Sequence, residues 1–405
     1  MSGRQPVNRA LKRLEKGSAK PIQLFDSVTP VNFLSPTVLL DLEQLRVRLA
    51  DVLARSPAPI LPNNSRLTLL AHGEANAIFR WGDNRLVRVA VNTPNQRYEG
   101  DFGRLTKLEA TVLKYLKGTG IGHDLLWAQT TPPDDFPYTY LVTNYLEGQP
   151  LDYSHPHLQR CAQTLARLHR LPLEARYQNV EALSPPVQKI SQPLTLFFEE
   201  SQRYAQPYLD SPEADPAIID MLQAVLAKAK TKLAAEQQLL AHPHICLVHS
   251  DHTYENWVID DRQAFLIDWE WAELGSPAGD LGHFLSPVTV RRYQDYSLTA
   301  ADRQFFLAAY YDALDNAELA EKMRIHFAAF GAFPAVRSLC WTAGYWITAN
   351  RWYTEETGPS ATDRLARLRK SQQQFPQLWA EVMLLLEEQP AEQPAEQPEK
   401  QPEEA

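Results

Sequence analysis

Cysteine is scarce: the 405 residues contain three, Cys161, Cys246 and Cys340, far apart and without a CxxC pair. An odd, sparse set argues against a disulfide framework and for a reducing compartment. No stretch of about eighteen apolar residues occurs, so no membrane-spanning helix is expected. The N-terminal segment carries Arg4, Arg9, Lys12, Arg13, Lys16 and Lys20 but no apolar core of signal-peptide type. No secretory signal is therefore visible. A basic, acid-poor start fits either a transit peptide or a solvated end, and the cytoplasm is the expected location. A basic stripe is also lacking. Lys and Arg total 40 against 49 Asp and Glu, a formal charge of -9. Six Glu and one Lys between positions 388 and 405 carry -5 of that, leaving about -4 for the rest. No nucleic-acid partner is expected from such a balance.

What is present suits a globular chain. Hydrophobic residues make up 44%, charged residues 22% and aromatics 10%, enough for a large core and more than one domain. Ser35-Pro36 reads as a helix start, followed by Leu42, Leu45, Leu49, Val52 and Leu53 at helical spacing until Ser56-Pro57. Strand texture begins at Arg66. Leu67–Leu70, Ala77–Trp81 and Leu86–Val91 are apolar runs, with Gly82-Asp83-Asn84 as turn chemistry between the last two. A helix is predicted over roughly Leu105 to Lys117, and a strand over Tyr138–Val142 runs into Thr143–Gly148. Beyond that glycine the pattern is chiefly helical. Helices are predicted from Ser154 to Arg170, from Asp215-Pro216 to about Leu240, and between Thr299 and Leu386. Two apolar runs, Cys246–Val248 and Ala264–Ile267, interrupt them. The Glu-Gln-Pro-Ala repeats at the end read as disordered.

The chemistry-bearing residues cluster around those two runs. His249-Ser250-Asp251 is followed by Asn256 five positions after the Asp, and Asp268 closes the next apolar run. Phosphoryl transfer needs a carboxylate to orient and accept the proton of an attacking hydroxyl. It also needs hard oxygen ligands for the magnesium that bridges the phosphates. Asp251 suits the first role, Asn256 and Asp268 the second, and His249 suits bracing of the loop backbone. Taken singly, Asp and Asn at such places serve turns and caps. The joint pattern favours catalysis.

His249-Ser250-Asp251-x-x-x-x-Asn256 with Ile267-Asp268-Trp269 resembles the motifs of the aminoglycoside phosphotransferase and choline kinase superfamily, relatives of the protein kinases. Asp280-Leu281-Gly282 is similar to that family's structural Asp. The resemblance extends upstream. Gly73 and Asn76 sit where the family has its phosphate-covering loop, and Arg88 takes the place of its phosphate-gripping Lys. Glu109 resembles the acid that holds that cation, and Asn144, Tyr145 and Leu146 look like the hinge whose backbone meets adenine. The likeness spans roughly residues 66 to 350. It departs from the family at Arg88, whose fork differs from an ammonium, and at His252-Thr253-Tyr254-Glu255, which replace a frequent Leu-His-Pro-Gly. Lys107 is a second candidate cation.

The resemblance implies an α+β, two-lobe protein-kinase-like fold with a small antiparallel-sheet lobe and a larger helical lobe. The expected parts are an extension over 1–60, a nucleotide-binding lobe and hinge over 61–148, a helical lobe over 149–387 and a tail over 388–405. The implied activity is Mg2+-dependent transfer of the ATP γ-phosphoryl group to a hydroxyl of a small-molecule acceptor. Oligomeric state is not readable. A nucleotide-binding pseudokinase scaffold is the alternative; a protein kinase is disfavoured because no activation segment separates Asp268 from Asp280. Zinc binding by His242, His244, His249 and His252 lacks a complete ligand set. Glu270 suits a second ion, a solvent-facing place or a helix cap, and His169 a buried structural role. Trp341, Tyr345, Trp346, Trp352 and Tyr353, with Trp269 and Trp271, read as core or as a cage for a cationic amine.

Overall fold

The strand-rich stretch forms one antiparallel sheet from β1 (Leu67–His72), β2 (Asn76–Trp81), β3 (Arg85–Ala90), β4 (Leu125–Gln129) and β5 (Thr139–Asn144), in the order β1-β2-β3-β5-β4. The computed structural model describes residues 41–56, 66–72, 75–93, 101–173, 187–291, 296–355 and 359–387. Ser35-Pro36, Gly73 and the Glu/Pro-rich tail lie outside them. The β2–β3 turn carries Gly82 at φ 65°, a conformation that glycine adopts without strain. β3 lies between β2 and β5, with Arg88 opposite Ile78 on one side and Leu141 on the other. A central position in the sheet fixes that side chain's direction.

One face of the sheet is covered by α1 (Leu42–Arg55), whose start is capped by Asp41 through the amides of Glu43 and Gln44 at 3.1 and 2.9 Å. Leu45, Leu49, Val52 and Leu53 of α1 share a core with Phe79, Trp81, Val87, Val89 and Tyr140. The i, i+4, i+7, i+8 spacing gives the helix the apolar stripe that such a sheet face buries. α2 (Phe102–Tyr115), capped by Asp101, packs against β3, β4 and β5 and carries Glu109 inward.

The larger lobe is helical: α3 (His155–His169), α4 (Pro193–Leu209), α5 (Pro216–Lys230), α6 (Glu236–Ala241), α7 (Ala278–Phe284), α8 (Pro287–Arg291), α9 (Ala300–Ala313), α10 (Ala317–Phe330), α11 (Phe333–Glu355) and α12 (Pro359–Glu387). Two short ladders interrupt it, β6 (Cys246–Val248) with β9 (Glu273–Gly275), and β7 (Trp257–Ile259) with β8 (Ala264–Leu266). The fold is α+β, a five-stranded antiparallel sheet beside a helical body. The three cysteines are free and buried, and no helix among the described residues is long and apolar enough to cross a membrane.

The sequence pattern misses three features. The helix expected to reach Leu240 stops at Lys230 and resumes at Glu236 after a 3₁₀ turn over Leu233–Ala235. The bend brings buried Glu236 onto the start of α4, where it accepts from the amides of Leu194 at 2.8 Å and Thr195 at 3.3 Å. Gln192, the N-cap residue of α4, makes no side-chain cap of its own. Glu236 therefore satisfies orphan donors of a helix that begins more than forty positions earlier. α4 itself, and the partly buried edge strand β4, carry no alternation or heptad signal strong enough to announce them.

The lobes meet along two seams. Leu266 donates its amide to Ile121 O at 2.7 Å, and Gln149 exchanges both backbone bonds with Ile259 at 2.9 and 2.8 Å. A Cβ at Gly148 would lie 2.7 Å from Ile259 O, so the second seam requires glycine.

Candidate active site

The 249–256 loop is held by a buried carboxylate. Asp280 on α7, fully buried, accepts from His249 N at 3.0 Å and Ser250 N at 2.8 Å. His169 Nε2 lies 3.1 Å from it and His252 Nε2 3.0 Å. Burial raises the cost of this charge, but His252, His169 and the donors they supply hold the Asp280 carboxyl well below its usual range. Two consecutive amides aimed at one carboxylate let Ser250 adopt φ 67°, a left-handed conformation that costs a non-glycine residue energy. His249 is buried too. Its Nε2 donates to Ile267 O at 2.8 Å, while its Nδ1 accepts from Asp251 N at 3.3 Å. Those partners fix a neutral ring, and burial with nearby His252 pushes its pKa down to about 4. His249 thus braces the loop against the 267–268 turn.

That bracing presents Asp251 and Asn256 together. The Asn256 amide donates from Nδ2 to Asp251 O at 2.9 Å and to Asp251 Oδ2 at 3.0 Å. Asn256 is 7% exposed, and with its nitrogen committed its amide oxygen points elsewhere. The 267–268 turn carries Asp268 at φ 67°, the second left-handed non-glycine residue of the site. A 3₁₀ turn over Trp269–Trp271 follows and packs on α2.

Arg88 joins the lobes here. One nitrogen, Nη2, donates to Glu109 Oε1 at 2.8 Å and to Asp268 Oδ1 at 2.6 Å. Across the same seam Asn76 Nδ2 reaches Glu270 Oε2 at 3.4 Å. Burial disfavours the Arg88 guanidinium, but Asp268, Glu109 and Glu270 outweigh it and hold the cation firmly protonated. The same crowding acts oppositely on the acids. Burial and neighbouring carboxylates push Glu109 and Glu270 upward against the pull of Arg88. One buried cation therefore faces three carboxylates.

At the hinge, Asn144 O accepts from His123 Nδ1 at 2.9 Å, and Asn144 Oδ1 accepts from Asp124 N at 2.7 Å. Tyr145 N donates to Asn84 O at 2.8 Å, and the Tyr145 ring lies under the Arg80 guanidinium at 4.3 Å. His123, buried near Arg88, has its pKa pushed down to about 4 by desolvation first and that cation second.

The structure thus brings together Asn76, Arg88, Glu109, Asp268 and Glu270, sets Asp251 with Asn256, and places Asn144 and Tyr145 at the lobe connection. Lys107 is on α2, and Arg88 rather than Lys107 is the cation bonded to Glu109. Of the histidines considered for zinc, His244 Nε2 lies 3.2 Å from His169 O, His249 Nε2 is bonded to Ile267 O, and His252 Nε2 lies 3.0 Å from Asp280. Among the described residues no group of three or more His, Cys, Asp or Glu is arranged to hold a metal. Of the aromatic run, Trp346 packs toward Tyr208 in the helical core, whereas Trp341 and Tyr345 stack on each other at 4.5 Å. The side chains of Trp352 and Tyr353 lie outside the described residues. Sequence reasoning missed His123 and His283. The only signal for His283 is its place three residues after Asp280 on one helix.

Comparison with known proteins identifies the family. A model of the phosphotransferase enzyme family matches residues 66–326, more than half of the chain. Among solved structures, a choline/ethanolamine kinase family protein from Mesorhizobium loti is similar at 17% identity. The match covers 84% of this chain and 99% of that one, with a TM-score of 0.51. The ethanolamine kinase of Plasmodium vivax is similar at 13% identity, over 92% and 95% of the two chains, with a TM-score of 0.54. At these identities the likeness is one of fold. No curated protein matches the sequence.

Proposed function

We propose a specific activity for this chain, which belongs to the phosphotransferase enzyme family: magnesium-dependent transfer of the ATP γ-phosphoryl group to a hydroxyl of a small polar molecule. The observation that carries this reading is that the loop pairing Asp251 with Asn256 is joined, through Ile267 N to Asn256 O at 3.0 Å, to the turn whose Asp268 enters the lobe-spanning Arg88–Glu109–Asp268 cluster.

Asp251 orients the acceptor hydroxyl and takes its proton. Its backbone amide is tied to His249 and one carboxylate oxygen to Asn256, so its orientation is restricted before the acceptor arrives. Asn256 and Asp268 are the residues to hold magnesium. The amide nitrogen of Asn256 is spent on Asp251, which leaves a hard oxygen, and Asp268 supplies carboxylate oxygen. Held by these two residues, magnesium would supply positive charge to offset that of the transferred phosphoryl group. Arg88 grips phosphate oxygen, and Glu109 keeps the guanidinium in place. Asn76, beside Glu270 at the start of β2, covers the phosphates. The Tyr145 carbonyl and the Leu146 backbone offer hydrogen bonds to the base, since the Asn144 carbonyl already receives His123 and the Tyr145 amide already donates to Asn84 O. The ethanolamine kinase likeness makes amino alcohols the first acceptors to try.

The test is ADP release with magnesium and ATP across amino alcohols, aminoglycosides, sugars and nucleosides, with Asp251→Asn as control. Acceptor-dependent release by the native chain alone is the expected result. ATP binding without release across the panel would favour a nucleotide-binding scaffold, and absence of ATP binding would sink the reading.

A further inference from the structure

Helix α7 does more than anchor the loop through Asp280. Three residues on, His283 is 8% exposed, and its Nδ1 accepts the amide of His252 at 3.0 Å. An accepting Nδ1 bears no proton, so the neutral ring carries its proton on Nε2. That nitrogen lies 3.9 Å from Asp251 Oδ1. The other carboxylate oxygen, Oδ2, is the one that Asn256 holds at 3.0 Å. The two oxygens of Asp251 thus face two different donors, one from the loop itself and one from α7. A separation of 3.9 Å exceeds a hydrogen bond, and a small side-chain rotation or one bridging water spans it. The helix is seated firmly enough to aim a side chain: a Cβ at Gly282 would lie 2.3 Å from Gly331 O at the α10–α11 corner.

Resting on the phosphotransfer reading, we propose that His283 is a positioning residue, whose Nε2–H restrains Oδ1 of Asp251 while Asn256 restrains Oδ2, so that the carboxylate plane is set toward the acceptor hydroxyl. His283 serves the loop twice, as acceptor at Nδ1 for the His252 amide and as donor at Nε2 toward Asp251. Only the second service bears on turnover directly.

Two substitutions separate these services. His283→Asn keeps an acceptor near the Nδ1 position and loses the donor; His283→Gln keeps a donor near the Nε2 position and loses the acceptor. The full-length variants are compared for melting temperature, for affinity toward a fluorescent ATP analogue with magnesium, and for ADP release with ATP, magnesium and ethanolamine or water as acceptor. His283→Asn is expected to keep its melting temperature, analogue affinity and KM for ATP but to lose about tenfold or more in kcat. His283→Gln is expected to recover much of that loss despite a lower melting temperature. If kcat instead follows melting temperature, with His283→Asn the more active of the two, His283 is structural and the proposal falls. A second readout does not need turnover. In the imidazole 15N–1H spectrum, His283 is expected as the Nε2–H tautomer, with a resonance that moves in Asp251→Ala. An Nδ1–H tautomer, or a resonance indifferent to that substitution, overturns the proposal. Failure of the native chain to release ADP would count against phosphotransfer alone.

Discussion

At Asp280 one buried carboxylate receives two backbone amides and lies within 3.1 Å of two imidazoles, whereas at Arg88 one buried guanidinium faces Glu109, Asp268 and Glu270. The first cluster is closed: every donor around it comes from the helical lobe, and its product is a fixed loop conformation. The second is drawn from both lobes and crowds three acids around one cation, which pushes Glu109 and Glu270 toward their neutral forms. A buried charge that is fully hydrogen-bonded stabilises a conformation; a buried surplus of like charge is costly to the fold and suits the binding of a cation. On this contrast, substitutions at the Asp280 cluster should cost stability, and those at the Arg88 cluster should cost turnover.

The largest expected effect is on rate. Asp268→Asn removes one of the three acids around Arg88 and should leave melting temperature equal or higher, while turnover falls about 10³-fold or more. Thermal melting and ADP release on one preparation check both halves, and a clearly destabilised Asp268→Asn would break the contrast. Next comes Asp280→Ala, which strands the amides of His249 and Ser250 and the His169 ring. A loss of about 3–5 kcal/mol in urea unfolding is expected. A stable but inactive variant would move Asp280 into the other class.

Acid should sharpen the difference further. His249 and His123 have folded pKa values near 4 against an ordinary 6.5, so the unfolded chain binds more protons between those values. The stability these rings contribute is complete above about 6.5 and is lost as pH falls through that window, by up to about 1.4 kcal/mol per unit for each ring. Urea midpoints between pH 7 and 4.5 measure it, and a flat profile would contradict neutral burial. The smallest effect belongs to the seam that lets the lobes meet. Gly148→Ala places its Cβ 2.7 Å from Ile259 O and should cost about 1–2 kcal/mol, with a rise in KM for ATP. A melting temperature like that of the native chain would mean the seam yields freely.

Much of this arrangement could be read before any coordinates. The run at 77–81 is a strand, that at 86–91 is one as far as Ala90, a helix spans Phe102–Tyr115, and the chain turns helical past Gly148. Of the quoted motif positions, Arg88 meets Glu109 and Asp268, and Asp251 meets Asn256. Gly73, in the phosphate-covering loop, lies outside the described residues. What escaped the sequence shares one property: it depends on a partner far along the chain. Glu236 leaves a helical register to cap α4, His123 donates to a hinge carbonyl, and His283 reaches a loop some thirty positions earlier.

The sequence by itself determined the elements, because apolar periodicity and turn residues act locally, and it determined the family through the order and spacing of His249, Asp251, Asn256 and Asp268. Tertiary structure alone decided that Glu236 caps α4, which side chain meets the hinge carbonyl, and which imidazole faces Asp251. Distances of 2.6 and 3.9 Å between residues 180 and 32 positions apart arise only when separately formed elements pack, and no local pattern encodes them.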